Sequence, residues 1–118
     1  MSEIDFEKMG GLIPAVLQDA DNGDVLMVGF MNSESYAVTL QTGYATFFSR
    51  TRNKLWTKGE TSGNRARVIS AATDCDRDTV LLRVRLEGAG VICHQGTRSC
   101  FNESLSVVAP AASERAAQ

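Results

Sequence analysis

The segment at residues 80–86 constrains the fold more than any other part of the sequence, because it alternates between two chemistries. The positions that share one side of an extended chain are Val80, Leu82, Val84 and Leu86, and the two arginines, Arg83 and Arg85, fall on the other side. This period of two is typical of a half-buried β-strand. The run ARVISAA precedes it, with a short acidic segment between the two runs. We therefore predict two antiparallel strands joined by the acidic segment.

Other short runs of strand-forming residues alternate with turn signals. Residues 15–18 and 25–30 flank Asn22-Gly23, a dipeptide that strongly favours a hairpin. The runs ATFFS and KLWTKG flank a polar turn at residues 50–53. These patterns indicate a chain built mainly from hairpins.

One helix is predicted, over residues 33–42. Asn32 or Ser33 can cap its first turn, and Gly43 suits the position that follows its last turn. Tyr36 and Leu40 lie four positions apart, so we expect them to share its buried side. The prediction is a mainly β fold of the α+β class, with antiparallel strands, hairpins and one helix. Its single domain spans residues 1–105, and residues 106–118 are expected to form a flexible tail because they lack periodicity.

Charge and composition narrow the classes of function. The net charge of −2 argues against a general nucleic-acid-binding protein. No apolar run approaches the ~20 residues that a membrane span needs. The first residues are acidic and contain no secretory signal, so a cytoplasmic location is expected. In that compartment three cysteines favour metal binding or catalysis over disulfides.

The acidic segment ATDCDRDT places a carboxylate at every second position. In extended chain these side chains project to one side and Cys75 to the other. If the segment curls, Asp74, Asp76 and Asp78 can converge on one hard cation such as Mg²⁺ or Ca²⁺. An EF-hand is excluded because Thr79 stands where that loop needs glycine. A solvated acidic turn without a metal remains the alternative.

The three cysteines, Cys75, Cys93 and Cys100, have no zinc-finger spacing. Three thiolates can nevertheless bind Zn²⁺ and leave a fourth position open, as catalytic zinc sites do. The alternative is three unrelated packed cysteines. His94 directly follows Cys93, so it suits proton transfer better than ligation of the same ion.

Residues 50–67 carry half of the chain's twelve basic residues and a single acidic residue. Within this stretch, KLWTKGETSGN combines lysines and a tryptophan with small hydroxyl and glycine residues. Such residues offer positive charge and hydrogen-bond donors to phosphate oxygens. The alternative is a solvated basic face. Together with a zinc site and a histidine, the pattern suggests hydrolysis of a phosphorylated small molecule. A zinc-stabilised nucleotide-binding module without catalysis, or hydrolysis of another purine nucleotide, remains open.

Three motifs occur in a fixed order along the chain. They are FFSRTRNKLWTKGETSGN, DCDRDT and CHQGTRSCF. In this order and spacing they resemble the phosphoribosyl-AMP cyclohydrolases of histidine biosynthesis, over about residues 13–101. The resemblance implies hydrolysis of N1-(5-phosphoribosyl)-AMP, in which water adds at C6 of the adenine ring and the N1–C6 bond breaks.

The resemblance also implies the residues of the site. Cys75, Cys93 and Cys100 would bind zinc, Asp74, Asp76 and Asp78 would bind Mg²⁺, and His94 would be the general acid/base. An intertwined homodimer is implied, in which Cys75 of one chain and the other two cysteines of its partner share each zinc ion. Substrate-binding residues are expected at Arg50, Arg52, Lys54, Trp56, Lys58, Glu60, Thr61, Ser62, Gly63 and Asn64.

Overall fold

The structure is a computed structural model that describes residues 3–108, and most of it consists of strands. The elements in chain order are a 3₁₀ turn (Glu7–Met9), β1 (Ile13–Asp19), β2 (Val25–Met31), α1 (Ser33–Thr42), β3 (Thr46–Ser49), β4 (Lys54–Thr57), β5 (Ala66–Thr73) and β6 (Val80–Leu86). This composition confirms the predicted mainly β, α+β fold.

A four-stranded sheet has the strand order β2-β1-β6-β5. Its two hairpins, β1–β2 and β5–β6, are antiparallel as predicted, and the acidic segment joins the second pair. Between the hairpins, β1 and β6 run parallel, with Leu17 opposite Leu82. This parallel pairing was not expected, because it joins segments that are far apart in the sequence. It places the predicted core residues Val80, Leu82 and Val84 at the centre of the protein, where each is at most 1% exposed.

The third predicted hairpin, β3–β4, forms a separate two-stranded sheet. Phe47 on β3 is fully buried, and its ring centroid lies 5.0 Å from that of Trp56 on β4. Main-chain hydrogen bonds join the segment before this hairpin to β5: the Ala45 amide donates to the Ala66 carbonyl at 3.0 Å, and the Val68 amide donates to the Gly43 carbonyl at 2.8 Å. The hairpin is thereby fixed beside the larger sheet.

The helix α1 has the predicted limits. The Ser35 amide donates to Asn32 Oδ1 at 2.8 Å and the Asn32 amide donates to Ser35 Oγ at 2.9 Å, which completes a capping box. Gly43 ends the helix with φ of 81°. The prediction that Leu40 lies on the buried side is wrong, because Leu40 is 53% exposed. The buried side belongs instead to Ser35 and Thr39, whose hydroxyl groups hydrogen-bond to the main chain.

The end of the described chain has no helix or strand. Residues 106–108 lie in irregular structure and are exposed, and the rest of the predicted tail, residues 109–118, lies outside the described residues. In the part of the chain that the structure describes, no helix is long and apolar enough to cross a membrane.

Candidate active site

A cavity of about 510 Å³ opens beside the β3–β4 hairpin. Its lining consists of Ser49, Thr51, Arg52, Trp56, Thr57, Lys58, Gly59, Glu60, Thr61, Ser62 and His94. Most of these residues belong to β4 and the loop that follows it, whereas His94 comes from a segment near the end of the described chain. The fold therefore brings the only histidine of the chain to a wall rich in hydroxyl groups and positive charge.

The loop after β4 forms one wall of this cavity and depends on Gly59. Gly59 has φ of 77°, and a Cβ atom there would lie 2.3 Å from the carbonyl carbon and oxygen of Asn64. The Gly63 amide donates to the Gly59 carbonyl at 2.8 Å. The Asn64 side chain in turn accepts a hydrogen bond from the Ala89 amide at 2.9 Å. Asn64 therefore packs against the side of the loop that faces away from the cavity, and its side chain does not line the cavity.

Six of the ten predicted substrate-binding residues line the cavity: Arg52, Trp56, Lys58, Glu60, Thr61 and Ser62. Arg50, Lys54, Gly63 and Asn64 do not, and the Arg50 guanidinium lies 5.6 Å from the ring centroid of Phe30. The sequence predictions missed Ser49, Thr51, Thr57 and Gly59. The alternation of hydroxyl and basic residues in SRTR was a signal for the first two of these.

Cys93 and Cys100 lie together at the edge of this site. Cys93 is buried and Cys100 is exposed. A tight turn between them is closed by the Cys93 amide, which donates to the Thr97 carbonyl at 3.1 Å, and by the Gly96 amide, which donates to the Cys93 carbonyl at 2.9 Å. The Cys100 amide donates to the Leu26 carbonyl at 2.8 Å, so β2 supports the second cysteine.

The two thiols influence each other's ionisation. The backbone amide of Gln95 and the Thr97 side chain lower the pKa of Cys93, and they outweigh the opposing effect of burial. Burial raises the pKa of Cys100, and the neighbouring Cys93 thiolate raises it further. The Lys58 ammonium, which also lines the cavity, lowers the pKa of both thiols. Cys93 is therefore the first of the pair to ionise, and the pair lies close to the cavity.

Cys75 does not join this pair within one chain. Across residues 3–108, the one cluster of three or more His, Cys, Asp or Glu side chains with ligand atoms within 4.8 Å of one another is Asp74, Asp76 and Asp78. Cys75 is exposed on the turn that carries these aspartates. A single chain therefore offers a thiol pair and a separate thiol.

The acidic turn between β5 and β6 is curled, so of the two arrangements considered from the sequence the curled one is confirmed and the extended one is wrong. Asp74 Oδ1 accepts hydrogen bonds from the Asp78 amide at 3.0 Å and the Thr79 amide at 3.2 Å. Arg77 adopts φ of 62°, which turns the chain back on itself. The curl brings the three carboxylates together, which extended backbone would not do.

The carboxylates of this turn shift one another's pKa values. Burial raises the pKa of Asp78, and so does the neighbouring Asp74 carboxylate. Burial also raises the pKa of Asp74, but the Asp78 amide and other hydrogen bonds outweigh it and hold that pKa below its ordinary value. The Lys8 ammonium donates to the Asp76 carbonyl at 2.6 Å and lies 3.6 Å from Asp78 Oδ2. A divalent cation would relieve this repulsion between carboxylates.

Comparisons with known proteins point to one family. The family model for phosphoribosyl-AMP cyclohydrolase matches residues 27–102. A phosphoribosyl-AMP cyclohydrolase of Desulfatibacillum aliphaticivorans is 57% identical over 103 residues, which are 87% of this chain and 82% of that relative. Another, of Trichlorobacter lovleyi, is 58% identical over 101 residues, which are 86% of this chain and 80% of the relative.

A relative of a second kind is longer. The histidine biosynthesis bifunctional protein HisIE of Bacteroides thetaiotaomicron is 54% identical over 101 residues. These residues are 86% of this chain but 49% of that relative. The match therefore covers about half of the bifunctional protein.

Proposed function

The chain belongs to the phosphoribosyl-AMP cyclohydrolase family, and we propose that it opens the adenine ring of N1-(5-phosphoribosyl)-AMP in histidine biosynthesis. In this hydrolysis water adds at C6, the N1–C6 bond breaks, and N1 gains a proton. One observation carries the proposal beyond the family name. His94 lines the same cavity as Arg52 and Lys58, and the Cys93–Cys100 pair lies beside that cavity.

The cavity suits a nucleotide that carries phosphate groups. Its volume lies within the ~300–1,000 Å³ range of small-molecule sites. Arg52 and Lys58 provide positive charge, and the hydroxyl groups of Ser49, Thr61 and Ser62 provide hydrogen-bond donors. Trp56 offers a ring on which the purine can stack. We propose that these residues bind the phosphates and orient the adenine toward His94.

The thiols fit zinc by their chemistry. Soft thiolate ligands favour Zn²⁺, and the lowered pKa of Cys93 favours the ionised form that a metal needs. We propose that Cys93 and Cys100 bind one zinc ion with Cys75 as the third protein ligand. When bound there, zinc lowers the pKa of water toward ~7 and so supplies a nucleophile at neutral pH.

His94 is proposed to move protons between water and substrate. It is exposed in the cavity and follows a zinc ligand directly, so its ring can reach groups close to the metal. The imidazole can accept a proton from the attacking water and return one to N1 as the bond breaks.

We propose that the aspartate trio binds Mg²⁺. Three carboxylates whose oxygen atoms lie within 4.8 Å of one another form a hard, oxygen-rich set of donors. The exposure of Asp74 and Asp76 leaves room for the water ligands that Mg²⁺ retains. A cation at this turn can also interact with a phosphate of the substrate.

A homodimer would complete the zinc site. Within one chain, Cys75 forms no cluster of ligand atoms with the thiol pair, so we propose that Cys75 of one chain reaches the pair of its partner. An apolar band on the outer side of the larger sheet supports association. Val28, Val16 and Leu81 are register partners on adjacent strands, and Val28 is 43% exposed.

We also propose that residues 1–105 act as one domain and that the enzyme works in the cytoplasm. Reducing conditions there keep cysteines free, and a thiolate zinc site requires free cysteines.

The activity is tested with phosphoribosyl-AMP as substrate, followed by the change in ultraviolet absorbance as the purine ring opens. We expect turnover by the zinc-loaded protein, loss of turnover after zinc is removed with a chelator, and recovery when zinc is restored. AMP, which lacks the N1 substituent, is the control and should be inert. Binding of phosphoribosyl-AMP without ring opening would support a nucleotide-binding module instead.

A further inference from the structure

The segment that carries Cys93 and Cys100 has no helix or strand of its own, so other parts of the fold must hold it in place. Ile92, directly before Cys93, is buried in the hydrophobic core, and hydrogen bonds join the later part of the segment to the β1–β2 hairpin. Ser99 Oγ donates to the Val25 carbonyl at 2.9 Å, and the Cys100 amide donates to the Leu26 carbonyl at 2.8 Å. Burial holds the start of the segment near Cys93, and these bonds hold its end near Cys100.

Arg98 makes a further link, between the cysteine segment and the turn of that hairpin. Its Nη2 donates to Asp19 Oδ2 at 2.5 Å, and its Nη1 donates to Asp24 Oδ2 at 2.7 Å. Nη2 also lies 3.3 Å from Asn22 Oδ1. One guanidinium thus joins both ends of the turn at once. We call this contact the arginine bridge.

The turn is organised to receive the guanidinium. Asp19 Oδ1 accepts a hydrogen bond from the Asp21 amide at 2.8 Å, which leaves its other oxygen for Arg98. The Asp24 amide donates to Asn22 Oδ1 at 2.9 Å, and the Gly23 amide donates to the Asp19 carbonyl at 2.9 Å, which closes the turn. The Asp19 side chain is 14% exposed, so this part of the bridge is shielded from water. Because the turn already holds these acceptors in place, forming the contacts with Arg98 costs little conformational entropy in the turn.

We propose that Arg98 is a positioning residue for zinc, and that the arginine bridge sets the separation of the Cys93 and Cys100 thiols. Arg98 lies between the two cysteines in the sequence and touches neither the cavity nor the acidic turn. Its contacts tie the cysteine segment to a hairpin that belongs to the central sheet. The bridge therefore holds two zinc ligands in place against β1 and β2, although the ligands themselves lie in a loop.

This inference rests on the proposed zinc site, and zinc affinity is its readout. The affinity is measured by competition with a chromophoric chelator, for the wild type and for Arg98→Ala, Arg98→Lys and Arg85→Ala. Arg85 is the matched control, because it pairs with Asp21 of the same turn at 3.4 Å but lies on β6, outside the cysteine segment. We expect Arg98→Ala to weaken zinc binding by about 10-fold or more, as supporting residues of metal sites do.

Arg98→Lys keeps the charge but cannot span two carboxylates with a planar fork, so its loss should be intermediate. Arg85→Ala should bind zinc within about 2-fold of the wild type, since an exposed ion pair contributes little. Cobalt(II) provides a signature that a general loss of stability would not give. With saturating Co²⁺, the thiolate-to-cobalt absorption of Arg98→Ala should differ from the wild-type spectrum, and that of Arg85→Ala should match it.

Equal zinc affinities for Arg98→Ala and Arg85→Ala, with superimposable cobalt spectra, would overturn the inference while leaving the proposed function intact. A wild-type protein that binds no zinc would remove both. If Arg98→Ala does not fold, Asp24→Asn takes its place, because it weakens the exposed half of the bridge and keeps the contact with Asp19. Zinc affinity of Asp24→Asn equal to that of Arg85→Ala would then count against the bridge.

Discussion

The loop that forms one wall of the cavity should tolerate no side chain at Gly59. Gly59→Ala places a Cβ atom 2.3 Å from the Asn64 carbonyl and 2.5 Å from the Arg65 amide nitrogen, and both are main-chain atoms that cannot rotate away. Gly63→Ala is the matched control in the same loop. It has a similar φ, 83° against 77°, but no atom lies within 4 Å of its added Cβ.

The expected cost has two parts. A left-handed backbone costs an alanine about 1–2 kcal/mol, and this part applies to both variants. Relief of the collision at Gly59 adds about 1–3 kcal/mol, as overpacking does in well-packed regions. Gly59→Ala should therefore lower the free energy of unfolding by about 2 kcal/mol more than Gly63→Ala does.

Urea unfolding at one protein and zinc concentration measures this difference. With a urea dependence of ~1–3 kcal/mol/M, the Gly59→Ala midpoint should fall about 1 M below that of Gly63→Ala. Movement of the wall should also raise KM for phosphoribosyl-AMP in Gly59→Ala. Equal midpoints and equal KM values for the two variants would refute the reasoning, because only the collision with Asn64 and Arg65 distinguishes them.

Three further predictions concern other parts of the structure. Cys93→Ser should abolish turnover and lower the zinc content, whereas His94→Ala should abolish turnover and keep its zinc; equal zinc loss in both would make His94 a ligand. Thr39→Val should lower the free energy of unfolding, measured in urea, by about 1–3 kcal/mol, because the buried Thr39 hydroxyl accepts a hydrogen bond from a β3 amide at 2.9 Å and the substitution would leave that amide unpaired. Thr42→Val removes an exposed hydroxyl and should cost much less, and equal costs would contradict this. The pKa of Asp19 is held below its ordinary value by a neighbouring backbone amide and by Arg98, so ionised Asp19 stabilises the fold above the ordinary Asp pKa and that stabilisation is lost as pH falls through the folded pKa. The stability difference between wild type and Asp19→Asn should therefore shrink below about pH 4, and a difference that is constant with pH would argue against this.

Much of the local structure could be predicted because it depends on neighbours in the sequence. The alternation through residues 80–86 predicted β6 and its buried side, and Asn32 and Gly43 marked both ends of α1. Leu40 was assigned to the buried side because it is apolar and lies four positions after Tyr36. The helix instead buries Thr39, whose hydroxyl group has hydrogen-bond partners on β3, and those partners are set by tertiary structure.

The arrangement of the site depends on contacts between distant segments, so the sequence could give only its parts. The parallel pairing of β1 with β6 follows from the path of the whole chain. His94 reaches the cavity because the path of the chain after β6 brings it beside the β3–β4 hairpin, and no local pattern encodes that path. The role of Arg98 could not be predicted for the same reason, since its partners Asp19 and Asp24 lie more than seventy residues earlier in the sequence.

Two inactive variants, mixed together, can show whether two chains build each zinc site. Cys75→Ser and Cys93→Ser are combined in equal amounts in urea, refolded with zinc, and assayed with phosphoribosyl-AMP. Half of randomly paired dimers contain both variants, and one of their two sites then has all its cysteines. The mixture should therefore recover roughly a quarter of wild-type activity, although each variant refolded alone stays inactive. A mixture as inactive as its components would contradict a site shared between two chains.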